Sequence, residues 1–254
     1  MHADATPSEQ HRICAGALDP GAIKLLNWNI QKQRHPNWHK DLSRLAHDVD
    51  LALIQEATLG PDIFSVFSSA KSHTFARGYT RANRVTGVMT LARVEHLSHR
   101  QLAIREPWLR TLKATNITTY ALHGSAQTLL VINLHALNFS LGISAYLRQM
   151  NQIMALLSEH QGPVILGGDF NTWHRGRERI VKDMTGMLEM EAVNFSLDHR
   201  TRILGRHLDH VFIRGLKTMA AETHCTLSSD HNPMLITLSI SKVSKVSKVS
   251  KGSE

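Results

Sequence analysis

The sequence predicts an α/β fold in which two packed β-sheets are flanked by helices. Three observations carry the prediction. Short apolar runs of strand length recur between residues 24 and 240, and many end on a polar residue. Segments with apolar residues at helical spacing separate the first and the last of these runs. Between residues 74 and 134, several β-like runs follow one another with short links, which suits antiparallel pairing. Nothing reads as a linker between two domains. One domain is expected over residues 22–241, after a loose arm (1–21) and before a basic low-complexity tail (242–254).

Taken in order, residues 24–30 read as a strand with Asn29 at its end. Leu42, Leu45, Ala46 and Val49 give residues 38–49 one apolar helical face. Residues 51–54 are a second buried strand that runs into Gln55 and Glu56, and Pro61 opens a short helix to residue 67. Strand runs follow at 85–91, 109–114, 117–122 and 129–134, with His135 directly after the last. Ala145, Leu147, Met150, Ile153, Met154 and Leu157 fall at the spacing of an amphipathic helix over 144–159. The apolar run 163–166 leads into Gly167-Gly168-Asp169-Phe170-Asn171. There two glycines permit a sharp turn. Asp169 and Asn171, two apart, point to one side of an extended segment. A helix with a basic start is expected over 175–188 and irregular chain over 190–206. Strands at 208–213, carrying Asp209, and at 216–221 come next, then a turn at 228–233 and a closing strand at 234–240.

The bulk properties narrow the partners. The chain is 42% hydrophobic and 20% charged, an ordinary globular composition with no run long enough to span a membrane. Net charge is +8 and the isoelectric point is near 9.8. Four of the lysines and one glutamate lie in the terminal Lys-Val-Ser repeat, which leaves 25 basic and 20 acidic residues, or +5, in residues 1–241. A basic body favours a polyanionic partner: nucleic acid, a phosphorylated small molecule or an acidic membrane surface. Two distant cysteines, Cys14 and Cys225, make no disulfide framework and read as buried or idle thiols. The N-terminus lacks the apolar core of a secretory signal, so a cytoplasmic protein is the expectation.

The unusual polar groups sit where predicted strands end. Asn29, Glu56, His135, Asp169 with Asn171, Asp209, and Asp230 with His231 each follow apolar residues. Each has an ordinary reading as a turn, cap or half-buried side chain. A single hypothesis accounts for all of them: the strands end at one edge and the groups meet in one pocket. Most of the 17 histidines are incidental on this reading.

These blocks carry a resemblance. Leu26-Asn27-Trp28-Asn29-Ile30, Ile54-Gln55-Glu56, Gly87-Val88-Met89-Thr90-Leu91, Asn133-Leu134-His135, Gly168-Asp169-Phe170-Asn171, Leu208-Asp209-His210-Val211-Phe212 and Ser229-Asp230-His231-Asn232-Pro233 occur in this order. They resemble the signature blocks of the endonuclease/exonuclease/phosphatase superfamily, DNase I-like and exonuclease III-like, over roughly residues 23–240. The resemblance implies a four-layered α/β sandwich of two packed mixed β-sheets flanked by helices, with the site at one edge. It also implies hydrolysis of a phosphate ester with Mg²⁺ or Mn²⁺.

Hard cations prefer oxygen donors, so Glu56 is the leading metal ligand, completed by Asn29 and Asp230. His231 is the expected base, with Asp209 on its other ring nitrogen. Asp169 and Asn171 would orient water or phosphate, and Asp169 is a second candidate for the metal. The resemblance gives His135 a phosphate contact and a part in protonating the leaving oxygen. Gln31 stands where exonuclease III-like repair enzymes have an acidic residue, which counts against an abasic-site repair activity. The leading substrate is nucleic acid, DNA first, because Arg81 (with Arg77 and Arg84) and Arg175 and Arg177 (with Arg179) flank the proposed site. A phosphatase or lipid phosphodiesterase of the same superfamily is the alternative; it calls for exposed apolar residues beside the pocket, for which Trp173 and Trp108 are the candidates. A catalytically silent binding module ranks last, and no segment points to an obligate protein partner.

Overall fold

Strand β1 (Ile23–Asn29) shows how the layers arise. Leu25 turns to one side, Leu26 and Trp28 turn to the other, and all three are buried. β2 (Leu51–Thr58) repeats the pattern, with Leu51 and Leu53 on the first side and Ala52 and Ile54 on the second. A strand that is apolar on both faces needs a packing layer on each. The structure, a computed structural model, describes residues 16–107, 109–140 and 142–241.

The remaining strands are β3 (Ser72–Arg81), β4 (Arg84–Ala92), β5 (Ser98–Arg105), β6 (Leu112–Ala121), β7 (Thr128–His135), β8 (Val164–Asp169), β9 (Glu191–Ala192), β10 (Arg202–Ile203), β11 (Arg206–His207), β12 (Asp209–Arg214), β13 (Leu216–Thr223) and β14 (Met234–Ile240). The helices are α1 (Trp38–Ala46), α2 (Pro61–Val66), α3 (Ser144–Glu159) and α4 (Arg175–Met187). Two six-stranded sheets form, in the orders β13-β14-β1-β2-β4-β3 and β5-β6-β7-β8-β12-β9, with β10 and β11 paired as a small ribbon. Each sheet is mixed. Its one parallel pair, β1 with β2 or β7 with β8, is joined by a helical crossover, α1 or α3.

Leu25, Leu53, Val131, Ile165, Val211 and Ile236 meet between the sheets. Leu42 and Leu45 of α1 and Ile63 of α2 cover the outer face of the first sheet. Tyr146, Met150, Ile153 and Leu157 of α3, with Val181 and Met184 of α4, cover the outer face of the second. The order is helix, sheet, sheet, helix, the four layers the sequence implied. Each fully buried leucine or isoleucine contributes about 1.5–3 kcal/mol.

Several elements differ from the sequence reading. The runs 109–114 and 117–122 are a single strand, β6, which pairs along its length with β5 and β7. Its polar middle does not break it, because Asn116 Nδ2 donates across the sandwich to Thr74 Oγ1 (2.9 Å) and Thr90 Oγ1 (3.1 Å). β3 and β5 had no predicted counterpart. β3 buries Ser72 and Thr74 where an apolar pattern would have Val or Leu, and β5 is a largely exposed edge strand. Leu18, placed by the sequence in the loose arm, is buried and bridges to Leu122. Cys225 is exposed rather than buried. Cys14, Trp108, the rest of the arm and the Lys-Val-Ser tail lie outside the described residues. No described helix is long and apolar enough to cross a membrane.

Candidate active site

The topology explains why the polar ends meet. β1, β2, β7 and β8 deliver Asn29, Glu56, His135 and Asp169 at or near their C-terminal ends. β12 runs antiparallel to β8, so its first residue, Asp209, pairs with the last of β8, Asp169. His135 pairs with Asp169 from the other side. β14 runs antiparallel to β1, so the turn before it brings Asp230 and His231 beside Asn29. Asn29, Glu56, His135, Asp169, Asn171, Asp230 and His231 all line one cavity of about 370 Å³. Asp209 lies behind His231. A larger groove of about 590 Å³ elsewhere holds none of these residues.

Backbone irregularities aim the side chains. β2 bulges between Ile54 and Ala57, and Glu56 inside the bulge has φ 53°. Without it, strict alternation would send Glu56 to the outer, helix-covered face that holds Ile54. Gly168 has φ +144°, and a Cβ there would lie 2.0 Å from Leu134 O; only glycine fits. Asn171 is not extended, as the sequence suggested, but has φ 51°. Its N–H donates to Asp169 Oδ1 (3.0 Å) and its side-chain amide to Ala136 O (3.1 Å). Asp169 and Asn171 thus share the pocket through a turn rather than through strand alternation. Gln31, Lys32 and Gln33 follow Asn29 with positive φ in succession, a strained tight turn at the pocket wall.

His231 Nδ1 lies 2.7 Å from Asp209 Oδ2, and His231 Nε2 lies 3.9 Å from Asp169 Oδ2. Burial alone would lower the His231 pKa, but the Asp209 and Asp169 carboxylates outweigh it and raise the value to about 10. Burial pushes Asp169 up to about 6, against the pull of the neighbouring His231. Asn29 Nδ2 donates to Asp169 Oδ2 (3.1 Å), and Ser229 Oγ ties the Asp230–His231 turn to Asn29 O (2.6 Å).

His135 has a different partner from any the sequence suggested. Its Nε2 lies 2.7 Å from Lys113 Nζ, 3.6 Å from Asp169 Oδ2 and 4.0 Å from Glu56 Oε1. An ammonium only donates, so Nε2 accepts and the ring proton sits on Nδ1. Burial, with the Lys113 charge next, holds His135 well below the usual imidazole range. With Lys113 as the donor, the Nε2 lone pair of His135 is engaged.

The arginines do not gather as expected. Arg177 is buried and points inward: Nη1 donates to Leu137 O and Asn171 O, Nη2 to Asn138 O and Ser140 Oγ, and the guanidinium stacks on Tyr146 and Trp173. It clamps the loop after β7 and has no surface left for a sugar-phosphate backbone. Trp173 is spent on that stack and on Asn138. Arg81 and Arg175 are exposed but are not among the lining residues. The basic groups that do line the cavity are Lys32, Arg34 and Lys113. Lys113 had a legible signal, a lysine inside an otherwise β-like run; Lys32 and Arg34, in an irregular turn, had none.

Two donor sets could hold a cation. Asp169, Asp209 and His231 present ligand atoms within 4.8 Å of one another. His231 Nδ1 is already taken by Asp209 Oδ2, so that set is the poorer one. Glu56, Asp169, Asn29 and Asp230 line the same cavity and carry the hard oxygen donors that suit Mg²⁺ or Mn²⁺. Glu56 Oε2 is 2.5 Å from Lys32 Nζ, so Lys32 now supplies the positive charge that a cation would replace.

The sequence profile of the Endonuclease/Exonuclease/phosphatase family matches residues 26–231, which span every one of these site residues. The chain belongs to that family. Among curated proteins, a UPF0294 protein of Yersinia enterocolitica is 39% identical over 230 residues, covering 86% of this chain and 87% of the relative. An endonuclease/exonuclease/phosphatase structure from Bacteroides vulgatus superposes with a TM-score of 0.67 at 16% identity, covering 86% of this chain and 99% of that one. ANGEL2, described as a 2′,3′-cyclic phosphatase, superposes with a TM-score of 0.69 at 15% identity, covering 86% and 95%. At such identities the two structures show the shared fold. Members of the Endonuclease/Exonuclease/phosphatase family are divalent-metal-dependent hydrolases of phosphate esters, and the buried Asp–His cluster and hard oxygen donors suit that chemistry.

Proposed function

We infer that this protein is a Mg²⁺- or Mn²⁺-dependent phosphodiesterase whose first substrate is nucleic acid, DNA before RNA. What carries the reading is one juxtaposition: the oxygen donors Glu56, Asn29, Asp169 and Asp230 line the same cavity as His231, which Asp209 holds from behind. When bound, a hard divalent ion offsets the phosphate charge and accepts charge developing on its oxygens. His231 Nε2 receives the proton of the attacking water. Asp209 holds Nδ1–H, fixes the ring and stabilises the imidazolium. Neutralising Asp169 withdraws part of what raises the His231 pKa and returns the ring toward the free base this role requires. Asn171 and Asn29 hold Asp169 in place. The basic wall of Lys32, Arg34 and Lys113 and the basic body favour a polyanion.

The expected result is nicking of supercoiled plasmid with Mg²⁺, its loss in EDTA, and a fall of several orders of magnitude in His231→Ala. No turnover of any phosphodiester with either metal would overturn the reading; no bound metal and no hydrolysis of any phosphate ester at all would leave the silent module. One observation favours a second reading, a lipid phosphodiesterase: the mouth of the cavity carries exposed Leu109, Phe139 and Ile203. Turnover of phospholipid vesicles with no cleavage of DNA or RNA would select it. The chemistry at the cavity floor is common to both.

A further inference from the structure

Lys113 is a buried lysine on the cavity wall, on an inner strand rather than a surface loop. No carboxylate lies within ion-pair distance of its ammonium among the described residues. Among the described residues its one side-chain hydrogen-bond partner is the His135 ring, at 2.7 Å. Burying an unpaired ammonium is costly, so a lysine held this way points to a ligand or a reaction. Contacts link it to the base: His231 lies 3.9 Å from Asp169, Asp169 3.6 Å from His135, and His135 2.7 Å from Lys113. The base and the ammonium are the two ends of this chain of contacts, and both line the one cavity. An in-line displacement calls for both a base and an acid, with water entering on one side of phosphorus and the leaving oxygen departing on the other.

We propose that Lys113 is the catalytic acid of this site, donating a proton to the leaving oxygen, and that His135 positions it. The proposal rests on the phosphodiesterase reading. Water oxygen bonds to phosphorus as its proton passes to His231 Nε2. The bond from phosphorus to the leaving oxygen breaks, and that oxygen takes one proton from the Lys113 ammonium. Lys113 is left as an amine and His231 as an imidazolium; solvent exchange restores both. His135 accepts one Lys113 N–H and fixes the amine, which leaves the other two directed away from the ring. Burial lowers the Lys113 pKa, with Glu106 and then Glu56 and Asp169 opposing, so this lysine gives up a proton more readily than a surface one.

The test compares two esters of one nucleotide with the metal-loaded full chain. In a dinucleoside phosphate the leaving group is an alkoxide that needs a proton; in the 4-nitrophenyl ester it is a phenolate that departs without one. Lys113→Met is expected to lose about 10²–10⁴-fold in kcat on the dinucleotide and less than about 10-fold on the nitrophenyl ester. Lys113→Arg keeps the charge but holds its proton, and is expected to show the same split with KM little changed. Equal losses on the two esters, or none, would overturn the proposal. A wild-type protein that turns over no phosphodiester, these two esters included, overturns the phosphodiesterase reading and takes the proposal with it. An independent readout needs no metal: ¹⁵N NMR of His135 is expected to show Nδ1 protonated and Nε2 as acceptor in the wild type, with Nε2 shifting in Lys113→Met. A Nε2-protonated ring in the wild type would also overturn it.

Discussion

Asp209 has one oxygen on His231 Nδ1, while the other, Oδ1, is buried without a partner. The pair therefore depends on charge as well as shape. Asp209→Asn keeps the volume but replaces the acceptor with an amide that can present a donor to the ring. The expected outcome is a folded protein with kcat reduced by about 10²–10⁴-fold, checked by circular dichroism beside steady-state rates. Wild-type rates would break the pairing. The pair also gives a pH signature. The His231 value in the folded, metal-free protein, about 10, lies above that of an unfolded histidine, 6.5. Its stabilisation is therefore complete below about pH 6.5 and is lost as pH rises through 10. Urea denaturation of wild type and His231→Gln in EDTA is expected to show their stability gap shrinking between pH 7 and pH 10. A constant gap would mean the histidine is not held protonated. At this scale the sequence was informative about His231 and Asp209, because both stand beside apolar runs. It gave no partner for His135, because Lys113 lies 22 positions away on a neighbouring strand, beyond the reach of spacing arguments.

Elements owe their aim to a few residues that break regularity. Glu56 reaches the cavity only through the bulge in β2, and nothing in Leu51-Ala52-Leu53-Ile54-Gln55-Glu56-Ala57 announces an extra residue. Gly168 was legible as a turn former, but its tight approach to Leu134 is a fact of β7 and β8 together. Gly168→Ala is expected to destabilise the protein by several kcal/mol and to displace Asp169, read as a large drop in melting temperature with loss of activity. Arg177 looked like a substrate contact because its neighbours in sequence are basic and exposed. Its burial follows from helical spacing instead, since it shares an inward face with Val181 and Met184 of α4. Arg177→Met is expected to cost about 3–5 kcal/mol, because four polar groups of the 137–171 region lose their donor. A surface contact would instead weaken substrate binding and leave the melting temperature unchanged. The helices α3 and α4 were readable to within a residue or two, since their apolar residues recur at a helical period on a polar background. β3 and β5 were not, since one buries hydroxyls and the other is exposed.

For the whole molecule, the sheet topology sets where chemistry can occur. Two mixed sheets, each with one parallel pair and antiparallel neighbours, bring strand ends far apart in sequence to one edge. Between them, Gln55 Nε2 joins Asn27 Oδ1 (3.0 Å) to Asn133 Oδ1 (2.7 Å), a polar cross-link tying the sheets together beneath the site. Gln55→Leu is expected to leave Asn27 Oδ1 and Asn133 Oδ1 without their donor and to lower both stability, by about 1–3 kcal/mol, and activity, through loosened sheet registry. The layer order was legible from periodicity, and the convergence of polar ends was legible as a hypothesis. Lys32 and Arg34 were not, because they sit in an irregular turn, and that Lys113 faces the cavity depends on pairing register. The account turns on whether the cavity's oxygen donors hold a divalent ion. Anomalous X-ray diffraction from Mn²⁺-soaked crystals tests this most directly. The expected peak lies within about 2.5 Å of a Glu56 oxygen and of an Asp169 or Asn29 oxygen, with Lys32 displaced from Glu56. A site left empty at saturating Mn²⁺, with Lys32 still paired to Glu56, would contradict it.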